Sequence, residues 1–121
     1  MVKVLFDTNI LLDHLKGIPA AEKEIAHYSD AAISIVTKIE VLVGVTQEIE
    51  DDVRAYLNSF HVIPLNESIS ERAIALRRTK KLKLADAIIF ASAQESDRLF
   101  LTRDAKDFPV DNTGIRIPYK L

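Results

Sequence analysis

Four acids in this chain stand where a carboxylate can do chemistry. Asp7 closes a short apolar, β-branched run over residues 2–6, and Glu40 lies one helical turn past a second run over 31–36. Asp86 sits near the start of Leu84-Ala85-Asp86-Ala87-Ile88-Ile89-Phe90-Ala91-Ser92-Ala93, and Asp104 comes just after a strand-like run over 98–102. If these four converge, their mutual repulsion has to be relieved by protons or by bound cations. An all-carboxylate set favours a hard ion, Mg²⁺ or Mn²⁺, over zinc. One or two such ions can polarise a phosphodiester, activate a water and stabilise the leaving oxygen, so no side-chain nucleophile is required. Asn9 and Thr102 are candidates to orient waters or phosphate oxygens near the cluster.

Each acid also has a purely local explanation. Asp7 can cap the helix that follows it, and Thr37 with Glu40 fits the T-x-x-E pattern of a capping box. Asp86 and Asp104 can be caps or turn residues. Asp86 resists this explanation most, because apolar residues flank it on both sides and an ionised carboxylate there needs a partner or a metal. Local capping also leaves unexplained why all four acids belong to one end of the sheet.

Other chemistries are poorly supplied. The chain has no Cys, which removes disulfides, thiolate zinc sites and a Cys nucleophile. His14, His27 and His61 lack the i,i+4 spacing of a helical zinc pair and read as surface or core residues. There is no G-x-S-x-G elbow and no G-x-x-x-x-G-K-[ST] phosphate loop. Glycines at 17, 44 and 114 alone cannot form a Gly-rich nucleotide cradle.

The acids depend on an alternating set of strands and helices. Residues 2–6 read as a buried strand, followed by a helix from Thr8 or Asn9 to Lys16 that Gly17 ends. Pro19 suits the first turn of a second helix. Residues 31–36 read as a strand, and from Thr37 to Phe60 apolar residues recur every three or four positions, giving one long helix or two. Gly44 and the acidic run 48–52 are the candidate breaks. Residues 61–65 form a third short strand, demoted by Pro64. Ser68 and Glu71 match a capping box for the next helix, and residues 85–96 form another. Residues 98–102 give a fourth strand and 115–119 a fifth. This alternation predicts an α/β fold with a central, mainly parallel sheet. In such sheets ligands collect outside the carboxyl ends of the strands, where the four acids fall.

With 121 residues, 48% hydrophobic and 28% charged, the chain is expected to form one domain, 1–121, with a sizeable core. No apolar run approaches a membrane span and Asp7 comes too early for a secretory signal, so a soluble, cytoplasmic protein is expected. Net charge is −2, yet residues 1–60 carry −5 and residues 61–121 carry +3. Arg72, Arg77, Arg78, Lys80, Lys81 and Lys83 follow one another with no acid between them. Most of these complement a helix C-terminus or face solvent, while Arg77, Arg78 and Lys81 are candidates to touch a nucleic-acid backbone beside the acidic centre.

Taken together, Phe6-Asp7-Thr8-Asn9-Ile10-Leu11-Leu12-Asp13, Ser34-Ile35-Val36-Thr37-Lys38-Ile39-Glu40, the segment around Asp86, and Leu101-Thr102-Arg103-Asp104-Ala105-Lys106-Asp107-Phe108 resemble the PIN domain in order and spacing. The resemblance covers essentially the whole chain and is closest to compact VapC-type toxins of prokaryotic toxin–antitoxin pairs. It implies a three-layer α/β/α sandwich and a metal-dependent endoribonuclease. It also implies that Asp7, Glu40 and Asp86 are the acidic triad for Mg²⁺ or Mn²⁺, with Asp104 as the fourth acid. The Asp104 position is often Asn in relatives, and Asp107 offers a second carboxylate nearby. A homodimer and a cognate antitoxin whose C-terminal segment blocks the site are further implications.

Competing readings are weaker. A haloacid-dehalogenase-type phosphatase needs a second Asp two residues after the first, where this chain has Asn9. A receiver domain needs an Asp after its third strand, and Val62-Ile63-Pro64-Leu65-Asn66 has none. A PIN-type RNA processing or quality-control nuclease would use the same site. A module that binds RNA or protein without cleaving would have no use for adjacent carboxylates.

Overall fold

A computed structural model describes residues 2–104, 106, 108 and 114–121. The central strand β1 (Lys3–Phe6) buries Val4, Leu5 and Phe6 completely. Side chains alternate across a strand, so Leu5 faces one layer while Val4 and Phe6 face the other. The core divides accordingly. Leu5 packs with Ile69, Ala73, Phe90, Phe100 and Phe108, whereas Val4 and Phe6 pack with Ile10, Leu11, Val41, Leu57 and Phe60.

The remaining elements run in chain order as α1 (Thr8–Leu15), α2 (Pro19–Ala26), β2 (Asp30–Ser34), α3 (Ile35–Val43), α4 (Glu50–Leu57), β3 (His61–Ile63), α5 (Glu67–Lys80), α6 (Leu84–Glu95), β4 (Leu99–Leu101) and β5 (Ile115–Arg116). All pairings are parallel and the sheet order is β3-β2-β1-β4-β5. Helices α1, α3 and α4 supply the layer against Val4 and Phe6, and α5 and α6 the layer against Leu5. The result is the expected α/β/α sandwich. After β3 the chain crosses back to the other side of β1, so strand order reverses between β1 and β4, where α/β sheets open a crevice. No helix among the described residues is long and apolar enough to cross a membrane.

Several boundaries differ from the sequence reading, each for a local reason. The strand expected over 31–36 stops at Ser34, whose Oγ accepts from Val36 N at 3.0 Å and caps α3. Ile35 and Val36, β-branched and strand-like by type, therefore open a helix. The long periodic stretch 37–60 is two helices that part at Gly44, the C-cap of α3. Asn66, not Ser68, caps α5: its Oδ1 accepts from Ile69 N at 2.9 Å. The fifth strand ends at Arg116 and the third at Ile63, one residue before Pro64.

Lys81 ends α5 in the left-handed region, with φ 56. A Cβ there costs about 1 kcal/mol, which glycine avoids. Lys81→Gly is therefore expected to stabilise the fold by about 0.5–1 kcal/mol in denaturant unfolding; a loss of stability would show that the Lys81 side chain contributes more than its backbone costs.

Candidate active site

At the reversal point, the backbone N–H of Asp7 donates to Leu101 O at 2.8 Å, fastening the residue after β1 to the end of β4. Its carboxylate then caps α1, because Oδ1 accepts from Thr8 N at 2.8 Å. Oδ2 accepts from Thr102 Oγ1 at 2.8 Å and from Asn9 Nδ2 at 3.4 Å. The fully buried Thr102 hydroxyl has a single proton. It gives that proton to Asp7 and accepts from Asn9 Nδ2 and from Asp104 N, each at 3.2 Å. Asn9 Oδ1 in turn accepts from Arg103 N at 3.2 Å. The capping reading of Asp7 thus holds through Oδ1, while Thr102 and Asn9 fix Oδ2 and so orient the carboxylate.

Burial dominates the electrostatics of Asp7, which is 6% exposed. Desolvation raises its pKa to about 6, hydrogen bonds from Thr102 and Thr8 oppose the rise, and the nearby charges of Asp86 and Glu40 add to it. The groups that act on Asp7 most strongly are thus neutral donors and two further carboxylates. A carboxylate so placed is stabilised either by a proton or by a cation.

Glu40 is exposed on α3, and Asp86 is half-buried at the third position of α6. Thr8 Oγ1 lies 2.7 Å from Glu40 Oε1 and 2.9 Å from the hydroxyl of buried Thr37. With one proton to give, Thr8 donates to the carboxylate and accepts from Thr37. Thr37 and Glu40 therefore do not form a capping box: Thr37 is inside α3, and Ser34 holds the cap. Asp104 is exposed in the loop after β4, where its Oδ1 accepts from Lys106 N at 3.1 Å, an Asx turn. Asp107 lies outside the described residues.

The structure therefore brings Glu40 and Asp86 within electrostatic reach of Asp7 and sets Asp104 beside Thr102. Among the described residues no three His, Asp or Glu side chains close into a ligand cluster. The chemistry of the donor set nevertheless fits a hard divalent cation: every candidate atom is a carboxylate or hydroxyl oxygen, and the anchor, Asp7, is a buried carboxylate.

Of the basic candidates, Arg77 is committed to the turn before α6, its Nη1 donating to Leu82 O at 3.2 Å. Arg72 pairs with Glu95. Arg78 and Lys81 are exposed.

Three residues near the acids carry more than their types announced. Thr8 and Thr37 link α1 to α3. Asp13, 2% exposed, accepts from Arg103 Nε at 2.6 Å, from Arg103 Nη2 at 3.3 Å and from the Tyr119 hydroxyl at 2.8 Å. The available signal was an acid three residues after Ile10, on the side of α1 that faces the core.

Known proteins resemble this chain over most of its length. The PIN domain family model matches residues 4–110. Ribonuclease VapC10 of Mycobacterium tuberculosis is 30% identical over 115 residues, covering 88% of this chain and 86% of the relative. A toxin–antitoxin complex from Klebsiella pneumoniae contains a chain 40% identical, with TM-score 0.93, over 98% of this chain and 100% of that one. A DNA-bound VapBC from Salmonella typhimurium, 18% identical with TM-score 0.80 over 96% and 98% of the two chains, shares the fold.

The buried Asp7 has a consequence for stability. Its folded pKa, about 6, lies above the ordinary 3.8, so the cost of ionising it is absent below about pH 4, grows between pH 4 and 6, and is complete above pH 6. A shift of this size corresponds to about 3 kcal/mol. In EDTA, Asp7→Asn is expected to melt above the parent chain at pH 8, with the difference vanishing toward pH 4. A variant that melts lower at pH 8 would contradict the buried-charge reading.

Proposed function

The chain belongs to the PIN domain family, and on that premise we propose that it is a VapC-type ribonuclease, the toxin of a toxin–antitoxin pair, which hydrolyses RNA phosphodiesters with Mg²⁺ or Mn²⁺. The observation that carries the reading is Asp7: a buried carboxylate at the strand-order reversal, flanked by Glu40 and Asp86, which raise its pKa further. Such an arrangement is costly for a scaffold and useful for holding a cation.

Asp7 and Asp86 would hold the principal ion, with Glu40 and Asp104 completing the set of acids. When bound, a divalent cation supplies Lewis-acid stabilisation of the phosphodiester oxygens and lowers the pKa of water. The remaining work belongs to the chain. Thr102, Asn9 and the Thr8 amide keep both Asp7 oxygens oriented, so little reorganisation accompanies reaction. Thr8 holds one oxygen of Glu40, whose exposed carboxylate would accept a proton from an attacking water. Arg78 and Lys81 would give the RNA backbone two exposed cations, with Arg77 shaping the turn that leads from Lys81 into α6. The likeness to a chain of the Klebsiella toxin–antitoxin complex supports a cognate antitoxin as partner. RNA as substrate, a homodimer and a cytoplasmic location complete the proposal.

Asp86→Asn is expected to lower RNA cleavage at least about 10³-fold while leaving the melting temperature near that of the parent chain, and EDTA should abolish parent activity until Mg²⁺ or Mn²⁺ is restored. Full cleavage by Asp86→Asn, or by the parent chain in EDTA, would sink the reading. Arg78→Gln should raise KM, leave kcat unchanged and reduce the salt dependence of RNA binding by about one unit of log–log slope; an unchanged slope would remove Arg78 from the RNA path.

A further inference from the structure

The loop after β4 carries Thr102, which holds Asp7, and Asp104, the fourth acid. The conformation of residues 102–104 is therefore part of the acidic site, and α1 secures it at two points. At the first, Arg103 N donates to Asn9 Oδ1 at 3.2 Å. At the second, the Arg103 guanidinium forks onto Asp13, with Nε to Oδ2 at 2.6 Å and Nη2 to Oδ1 at 3.3 Å. Asp13 is the more buried partner, its side chain 3% exposed against 32% for Arg103. The Tyr119 hydroxyl also donates to Asp13 Oδ2, at 2.8 Å, and burial and Asp13 both raise the Tyr119 pKa, which keeps that proton on the donor.

This arrangement has three properties of a built fixture. The fork uses both carboxylate oxygens and so restricts rotation of the guanidinium as well as its distance. The donors come from the loop after β4 and from the segment after β5, 90 and 106 residues away from Asp13 in sequence. Finally, Asp13 and Asn9 are one helical turn apart on α1, so side chain and main chain of a single residue, Arg103, are held by one rigid face of the helix that Asp7 caps. Because Arg103 is neutralised by Asp13, its charge serves the loop rather than a phosphate.

We infer that Asp13 is a positioning residue for the acidic site: through Arg103 it fixes the loop after β4 so that Thr102 stays on Asp7. The inference rests on the cation-binding reading of Asp7 above. In related situations, partners that orient metal-binding carboxylates affect affinity by 10–100-fold, which sets the expected scale.

The probe is Mn²⁺ alone, titrated calorimetrically into the full chain without RNA. Asp13→Asn keeps the size of the side chain and breaks the charged fork. The double variant Asp13→Leu with Arg103→Leu removes both charges together, so that no buried ion is stranded and the fold is kept. Both are expected to bind Mn²⁺ at least tenfold more weakly while the double variant retains the parent melting temperature. Arg103→Lys, which keeps the charge without the fork, should fall between them and the parent chain. In RNA cleavage the same variants should lose kcat with KM unchanged, a split that a general loss of folded protein would not give. Mn²⁺ affinity within twofold of the parent in the double variant would overturn the positioning role while leaving the acidic site intact. A parent chain that binds no Mn²⁺ would overturn the cation-binding reading and the positioning role together.

Discussion

A single carboxylate, that of Asp7, lies at the end of the most buried strand of the sheet, and the arrangement around it follows from the cost of keeping it there. A charge removed from water needs hydrogen-bond donors or counter-charge. Here it receives the Thr8 amide and the Thr102 hydroxyl, with Asn9 behind both. Two more carboxylates stand nearby and raise its pKa. Donors hold the anion in place but do not neutralise it, and on the reading proposed above a cation would complete the compensation.

The fold supplies this position without a special device. A parallel sheet buried on both faces leaves its strand ends as the place where side chains can emerge, and the return of the chain from β3 to β4 opens the crevice beside β1. Helix α1 then does most of the organising. It starts at Asp7, presents Asn9 to Thr102 and Arg103, meets Glu40 through Thr8, and ends near Asp13, which gathers Arg103 and Tyr119. Apolar packing of Ile10 and Leu11 under the sheet gives this polar framework its rigidity.

Much of this was legible in the residues. The strand before Asp7, the apolar sequence neighbours of Asp86 and the alternation of elements follow from the residues alone, and they place the acids at one end of a parallel sheet. Less visible were features set by side-chain hydrogen bonds across long separations. Ile35 and Val36 look like strand residues until Ser34 is seen to cap a helix, and Ser68 looks like a cap until Asn66 takes the Ile69 amide. Asp13 and Arg103, 90 residues apart, carry no spacing that announces their contact. The local and functional explanations of Asp7 do not exclude each other: one carboxylate oxygen caps α1 through the Thr8 amide while the other is held by Thr102 and Asn9.

The most direct test of the claim that Asp7 anchors a cation is its own titration, followed by the carboxyl carbon signal in NMR, with EDTA and then with Mg²⁺. In EDTA the pKa should be about 6. Saturating Mg²⁺ should bring it below the ordinary carboxylate value, because a bound divalent charge favours the ionised form. A pKa that stays near 6 at saturating Mg²⁺ would contradict the claim.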